Sequence, residues 1–221
     1  MQEVWFTVIS FLLATAAFVY GALKLFKSKT PLYFIIIVCA AGCFMLKEIS
    51  SMVSYFCGGY DGYASIGELA TFGCALFLFS ANYGQMDGVV EGKSVSKRIK
   101  LLSCIPPLIF TGLSATAVAT RADGSPLNAV IMLIAVLPMI ASSYFNTKHL
   151  IMPMDDLRLL STTKWCNIFS LVYFVCTYLY LLSPLSGSVL IAEFLSVLTG
   201  VIVLCLTISA ERGCQKWKNL L

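Results

Sequence analysis

The chain has 221 residues, 59% hydrophobic and 12% charged, with a formal net charge of +4. Soluble domains are typically about 45–50% apolar and about 25% charged, so an ordinary soluble domain is excluded, as the mean hydropathy of +0.88 also requires. The positive balance is confined to the ends of apolar segments, which marks membrane topology and gives no reason to invoke nucleic acid.

A helix in lipid must satisfy its own backbone hydrogen bonds and needs about 20 mostly apolar residues to cross. Seven segments meet this condition, at 4–26, 31–56, 65–83, 101–120, 127–146, 165–183 and 189–210. They fill nearly the whole chain and predict an all-α integral membrane protein, one seven-transmembrane-helix bundle over 1–221 with no separate output domain.

The first segment contains Ala14-Thr15-Ala16, which has the form of a signal-peptidase site. No basic residue precedes it and apolar chain runs on to Phe26, so it reads as a retained first span. The second segment carries Lys47 and Glu48, with Ser51, Ser54 and Tyr55 following Lys47 at helical spacing. Gly58 to Tyr63 then reads as a turn with two interfacial tyrosines. The third segment has Glu68 about one turn from its start, with Thr71 and Ala75 along the same face, and Asn82, Gln85 and Asp87 after it.

Pro106-Pro107 in the fourth segment and Pro138 in the fifth predict kinks or local breaks. Asn146, Lys148 and His149 follow the fifth segment, and the histidine reads as part of a solvated helix end. The sixth segment offers Tyr173, Tyr178 and Tyr180. The seventh has Glu193, Ser196, Gly200 and Thr207 on one stripe.

Thirteen of the fifteen basic residues lie at alternate ends of these segments, from Lys24, Lys27 and Lys29 to Arg212, Lys216 and Lys218; the opposite side has only Arg121, and Lys47 is within a span. The bias of lysine and arginine towards the cytoplasmic side of short loops therefore places the N-terminus outside and the C-terminus in the cytoplasm, with the plasma (inner) membrane as the expected location. Of nine cysteines only Cys57 falls near the outer face, so a disulfide framework is not expected. The single histidine has no partners at ligand spacing, so neither metal nor other cofactor is expected.

Ionisable residues within spans are expensive and mark function by default. Lys47, Glu48, Glu68 and Glu193 all belong to the half of the bundle read as outer, with Lys47 about 13 Å from the end of its helix at 1.5 Å per residue. With Ser51, Tyr55 and Tyr178 they form a candidate polar site for a small polar or zwitterionic ligand. Two blander readings stand beside it. Glu68 and Glu193 also fit side chains snorkelling to the interface, and Lys47 also fits a structural ion pair, with Glu68 or Glu193 at least as suitable as the adjacent Glu48. The pattern favours a transporter or permease component. A receptor or sensor acting through a cytoplasmic partner at 84–100 and 147–164 is the alternative, and an intramembrane hydrolase of lipid-like substrates is a third. No motif is specific enough to decide among them.

Overall fold

The computed structural model describes residues 2–26, 30–57, 66–83, 96–121, 126–152 and 158–218. The turn over 58–63, Gln85 and Asp87 lie outside them, as do 84–95 and 153–157 of the two stretches expected to meet a partner. Among the described residues the chain is helical and without strands: α1 (Gln2–Leu25), α2 (Leu32–Phe56), α3 (Ile66–Ser80), α4 (Lys97–Ser103), α5 (Ile105–Arg121), α6 (Pro126–Ile151), α7 (Arg158–Leu182) and α8 (Val189–Lys218). Seven helices are long and apolar enough to span a membrane, α4 and α5 together making the fourth. The protein is a multi-pass membrane protein.

The break at Cys104 follows from the sequence. Pro106 and Pro107 have no N–H to donate to the turn before them, so the amide of Cys104 tightens onto Leu101 O at 3.1 Å and the ladder restarts with Leu108 donating to Cys104 O at 3.2 Å. The prolines then occupy the first turn of α5, where the missing N–H groups are no loss. Pro138, in contrast, lies within an uninterrupted α6, so the break expected there does not occur.

Several helices outrun their apolar segments. α6 continues to Ile151 and α8 to Lys218, and α7 begins at Arg158. Hydropathy reports where the chain leaves hydrocarbon, while a helix continues for as long as its residues tolerate helical geometry. Asn146, Lys148 and His149 are therefore helical, and they are buried; the expectation that His149 caps a solvated end is corrected. The basic pair suits the negative end of the α6 dipole.

α1 packs on α2 and α8, α2 on α3 and α8, α3 on α6, α6 on α5 and α7, and α7 on α8; α4 packs on α6. The bundle thus closes through its first and last helices, and the fourth span sits against α6 and α7. Ser10 bonds Ser196, and Lys24 pairs with Glu211, so α1 and α8 run parallel and the two termini of the chain lie at opposite ends, called here the N-terminal and C-terminal ends. The α1–α8 seam is made of small residues. Ser10, Ala14 and Ala17 are fully buried, and Gly21 continues their face. A Cβ on Gly21 would stand 2.7 Å from Val38 Cγ2, and one on Gly200 3.1 Å from Leu13 Cβ. Without a hydrophobic drive between helices in lipid, backbones approach where side chains are small.

Large apolar side chains such as Leu12, Leu23, Leu108, Leu137 and Phe194 are exposed around the bundle. Such a girdle would be anomalous on a soluble monomer and is the ordinary surface of a protein in lipid. The core is aromatic, with Tyr33, Phe34, Phe44, Tyr173, Phe174 and Tyr178 fully buried.

Candidate functional site

Two cavities occupy the N-terminal half of the bundle. The first, of about 240 Å³, lies among α2, α3, α6, α7 and α8. It reaches from Phe44 and Met139, near mid-helix, to Ser54, Gly67 and Glu68 at the N-terminal end. Its polar lining comprises Lys47, Ser50, Ser51, Glu68, Thr71, Thr177, Tyr180 and Thr199; Met132, Val136, Met139 and Phe44 make an apolar wall. The second, of about 200 Å³, lies among α1, α2, α7 and α8 and is lined by Thr7, Glu48, Glu193 and Ser196. Ser51 and Tyr180 border both.

Lys47 and Glu48 form the partition between them. Successive side chains diverge by about 100° around a helix, so Glu48 turns towards α8 and α1 while Lys47 turns towards α7. The long lysine stem then swings back, and its Nζ donates to Glu48 Oε1 at 2.7 Å. The ion pair is therefore between neighbours on one helix, and does not join Lys47 to Glu68 or Glu193 as their shared depth had made equally plausible. The Glu48 side chain is 1% exposed and that of Lys47 13%, towards the first cavity. The ammonium also lies 5.2 Å from the Phe44 ring centroid and 4.9 Å from that of Tyr180, within cation–π range.

A buried carboxylate is tolerated when its lone pairs are occupied. Glu48 has two donors: beside Lys47, the Ser196 hydroxyl shares its one proton between Oε1 at 3.2 Å and Oε2 at 3.4 Å. Ser10 of α1 stands 3.1 Å from the same Ser196 hydroxyl and can donate to the Ser196 carbonyl at 3.2 Å. One chain of polar contacts thus runs Ser10–Ser196–Glu48–Lys47 across three helices. Lys47 is held by groups behind it and presented to a cavity in front.

Of the sequence-predicted residues, Lys47, Ser51 and Glu68 line the first cavity, and Glu48, Ser51 and Glu193 the second. Glu68 is exposed, at the mouth. Tyr55 and Tyr178 line neither. Tyr55 is 44% exposed, in the last turn of α2, with its ring edge-on to Phe56. Tyr178 is fully buried on the other side of α7, where its hydroxyl meets Ser114 Oγ at 2.8 Å and its ring stacks on Phe110 at 4.8 Å. Tyr180, two residues on and so turned about 200° away, is the tyrosine that faces the charges. Ser10 and Thr7 of α1 carried no signal as isolated hydroxyls in an apolar run; only the tertiary pairing of α1 with α8 brings them in.

Two further polar groups lie in the C-terminal half. Asn82, in a π-helical turn closing α3, donates to Asn146 Oδ1, and Asn146 in turn donates to Ser142 Oγ at 3.3 Å. At the C-terminal end Lys24 pairs with Glu211 at 3.1 Å, and Tyr20 and Gln215 donate to the same carboxylate. The second group ties α1 to α8. Among the described residues no three histidine, cysteine or acidic side chains gather as a metal site. Comparison of the chain with protein-family models, curated proteins and solved structures finds no match.

Proposed function

We propose that this protein is a transporter or permease component of the plasma membrane that takes a small polar or zwitterionic solute into the first cavity, with the N-terminal end outside and the C-terminal end cytoplasmic. The observation that carries the reading is the presentation of Lys47. An ammonium in the interior of a membrane bundle is costly. Here it is compensated from behind by a carboxylate itself bonded to Ser196, and its open side meets a cavity large enough for a small molecule. A purely structural pair would gain from being sealed on all sides. The hydroxyls of Ser51, Thr71, Thr177 and Thr199 give their protons to carbonyls of their own helices and so offer the cavity acceptor oxygens, and Glu68 at the mouth suits the cationic end of a zwitterion. The orientation rests on the basic residues, which gather at the C-terminal end.

Proteoliposome swelling tests this. Vesicles containing purified protein are placed in isosmotic amino acids, short carboxylates or polyols. The expected result is that one class enters faster than into protein-free vesicles, and that Lys47→Met removes the difference. Binding of a solute without any accelerated entry would overturn transport and favour a sensor acting through a partner at 84–100 and 147–164.

A further inference from the structure

Among the described residues Lys47 is the only cation lining either cavity, and it is already engaged by Glu48. The ammonium has three N–H donors and gives one to Glu48, so a ligand carboxylate that takes another sets two negative charges against one cation. From this we infer that the first cavity recognises a carboxylate bearing a short apolar tail, and that its binding drives one proton onto Glu48 from the second cavity. The inference rests on the binding-site reading above and specifies its ligand class and its coupling.

The ligand class follows from the lining. A carboxylate entering past Glu68 meets Lys47 as its one charged partner, with Ser51 and Tyr180 beside it. Met132, Val136, Met139 and Phe44 offer an apolar wall for the remainder of the molecule. An α-amino group, where present, would face Glu68. An uncharged polyol has no reason to prefer this wall.

The proton follows from charge balance. In the empty site Lys47 ammonium and Glu48 carboxylate sum to zero. A ligand carboxylate on another N–H of Nζ adds one negative charge and leaves Glu48, almost wholly enclosed, with only a share of its cation. A buried uncompensated carboxylate is neutralised rather than kept charged. One proton, released by the acid form of the bulk buffer and passed through the second cavity, bonds to a Glu48 oxygen, and the sum over the three groups returns to zero: Lys47 ammonium with ligand carboxylate, and Glu48 as the neutral acid. No bond other than O–H forms, and no oxidant or co-reactant is needed. The two faces of the partition are already separate, because Lys47 lines the first cavity and Glu48 the second. The groups around Glu48 are Thr7 of α1, Lys47 and Ser51 of α2, Tyr173 and Tyr180 of α7, and Glu193 and Ser196 of α8; Ser196 remains as hydrogen-bond partner to either protonation state. Glu193 shares the second cavity and stands where a proton would enter.

The test uses the full chain in nanodiscs, with hexanoate and leucine as probes. Calorimetric titration in two buffers of different ionisation heat counts protons taken up, and infrared difference spectra report a newly protonated carboxyl. The expected result is binding of hexanoate with about one proton taken up per ligand, so that the apparent Kd rises roughly tenfold per pH unit while hexanoate itself stays ionised. Glu48→Gln should bind without proton uptake and without that pH dependence, and should lose the infrared band. If Glu48→Gln does not fold, Glu68→Gln and Glu193→Gln take its place: both should keep the wild-type band and slope, and loss of either in one of them overturns the assignment to Glu48. Binding with no proton uptake overturns the coupling and leaves the binding site standing. Proton uptake that persists in Glu48→Gln assigns it elsewhere and overturns the inference. Binding of neither probe overturns the ligand class, while flux of another solute class in swelling vesicles would still uphold transport.

Discussion

Tyr178 and Tyr180 sit two positions apart on α7 and have opposite roles. Tyr178 is sealed against α5 by its bond to Ser114 and its stack on Phe110, whereas Tyr180 faces the Lys47 ammonium. Tyr178→Phe should cost about 0.5–1.5 kcal/mol of stability, the net worth of one buried hydrogen bond, and leave solute uptake unchanged. Tyr180→Phe keeps the ring over the ammonium and should alter uptake or its pH dependence with little loss of stability. Denaturation in detergent and vesicle uptake of both variants check this, and an uptake defect confined to Tyr178→Phe would contradict the assignment. At this scale the sequence was informative about charges and silent about partners. The depth of Lys47 and Glu48 is read directly from their distance to the helix end. Their pairing with each other depends on the reach of one lysine stem. The part played by Ser10 depends on a contact with a helix 186 positions away in sequence.

Helix boundaries and helix contacts divide along the same line. Seven apolar runs identify seven spans because the bilayer imposes a minimum length. The double proline locates the break at Cys104 because proline cannot donate. The C-terminal extensions of α6 and α8 carry no such constraint, and hydropathy ends before they do. Packing order was less legible still: α1 appears as a plain apolar helix until Ser10, Ala14, Ala17 and Gly21 are seen as the face that meets α2 and α8. Gly21→Ala tests that face. Its new methyl would stand 2.7 Å from a Cγ of buried, β-branched Val38, which has little rotamer freedom. The substitution should destabilise the bundle by about 1–3 kcal/mol, as overpacking does. Gly112, whose Cβ position meets nothing within 4 Å, should accept alanine without loss. Equal stability of the two variants would contradict the close α1–α2 approach.

For the whole molecule, orientation is the first prediction. Cys57 closes α2 at the N-terminal end and Cys104 joins α4 to α5 nearer the C-terminal end, and both are exposed. A membrane-impermeant thiol reagent applied to intact cells should modify Cys57 and spare Cys104. Modification of Cys57 only after the cells are opened would reverse the orientation and place the cavities on the cytoplasmic side.

On the proposed reading the Lys47–Glu48 pair serves a ligand and not only the fold. Removing one member of a buried pair strands the other at a cost on the order of 3–5 kcal/mol, and removing both recovers much of it. Lys47→Met with Glu48→Gln therefore separates stability from function. The decisive measurement is the melting temperature and solute uptake of this double variant beside Lys47→Met alone. The double variant should melt well above the single one and transport nothing. A double variant that is both stable and fully active would make the pair structural, and would contradict the assignment of the cavity as the site.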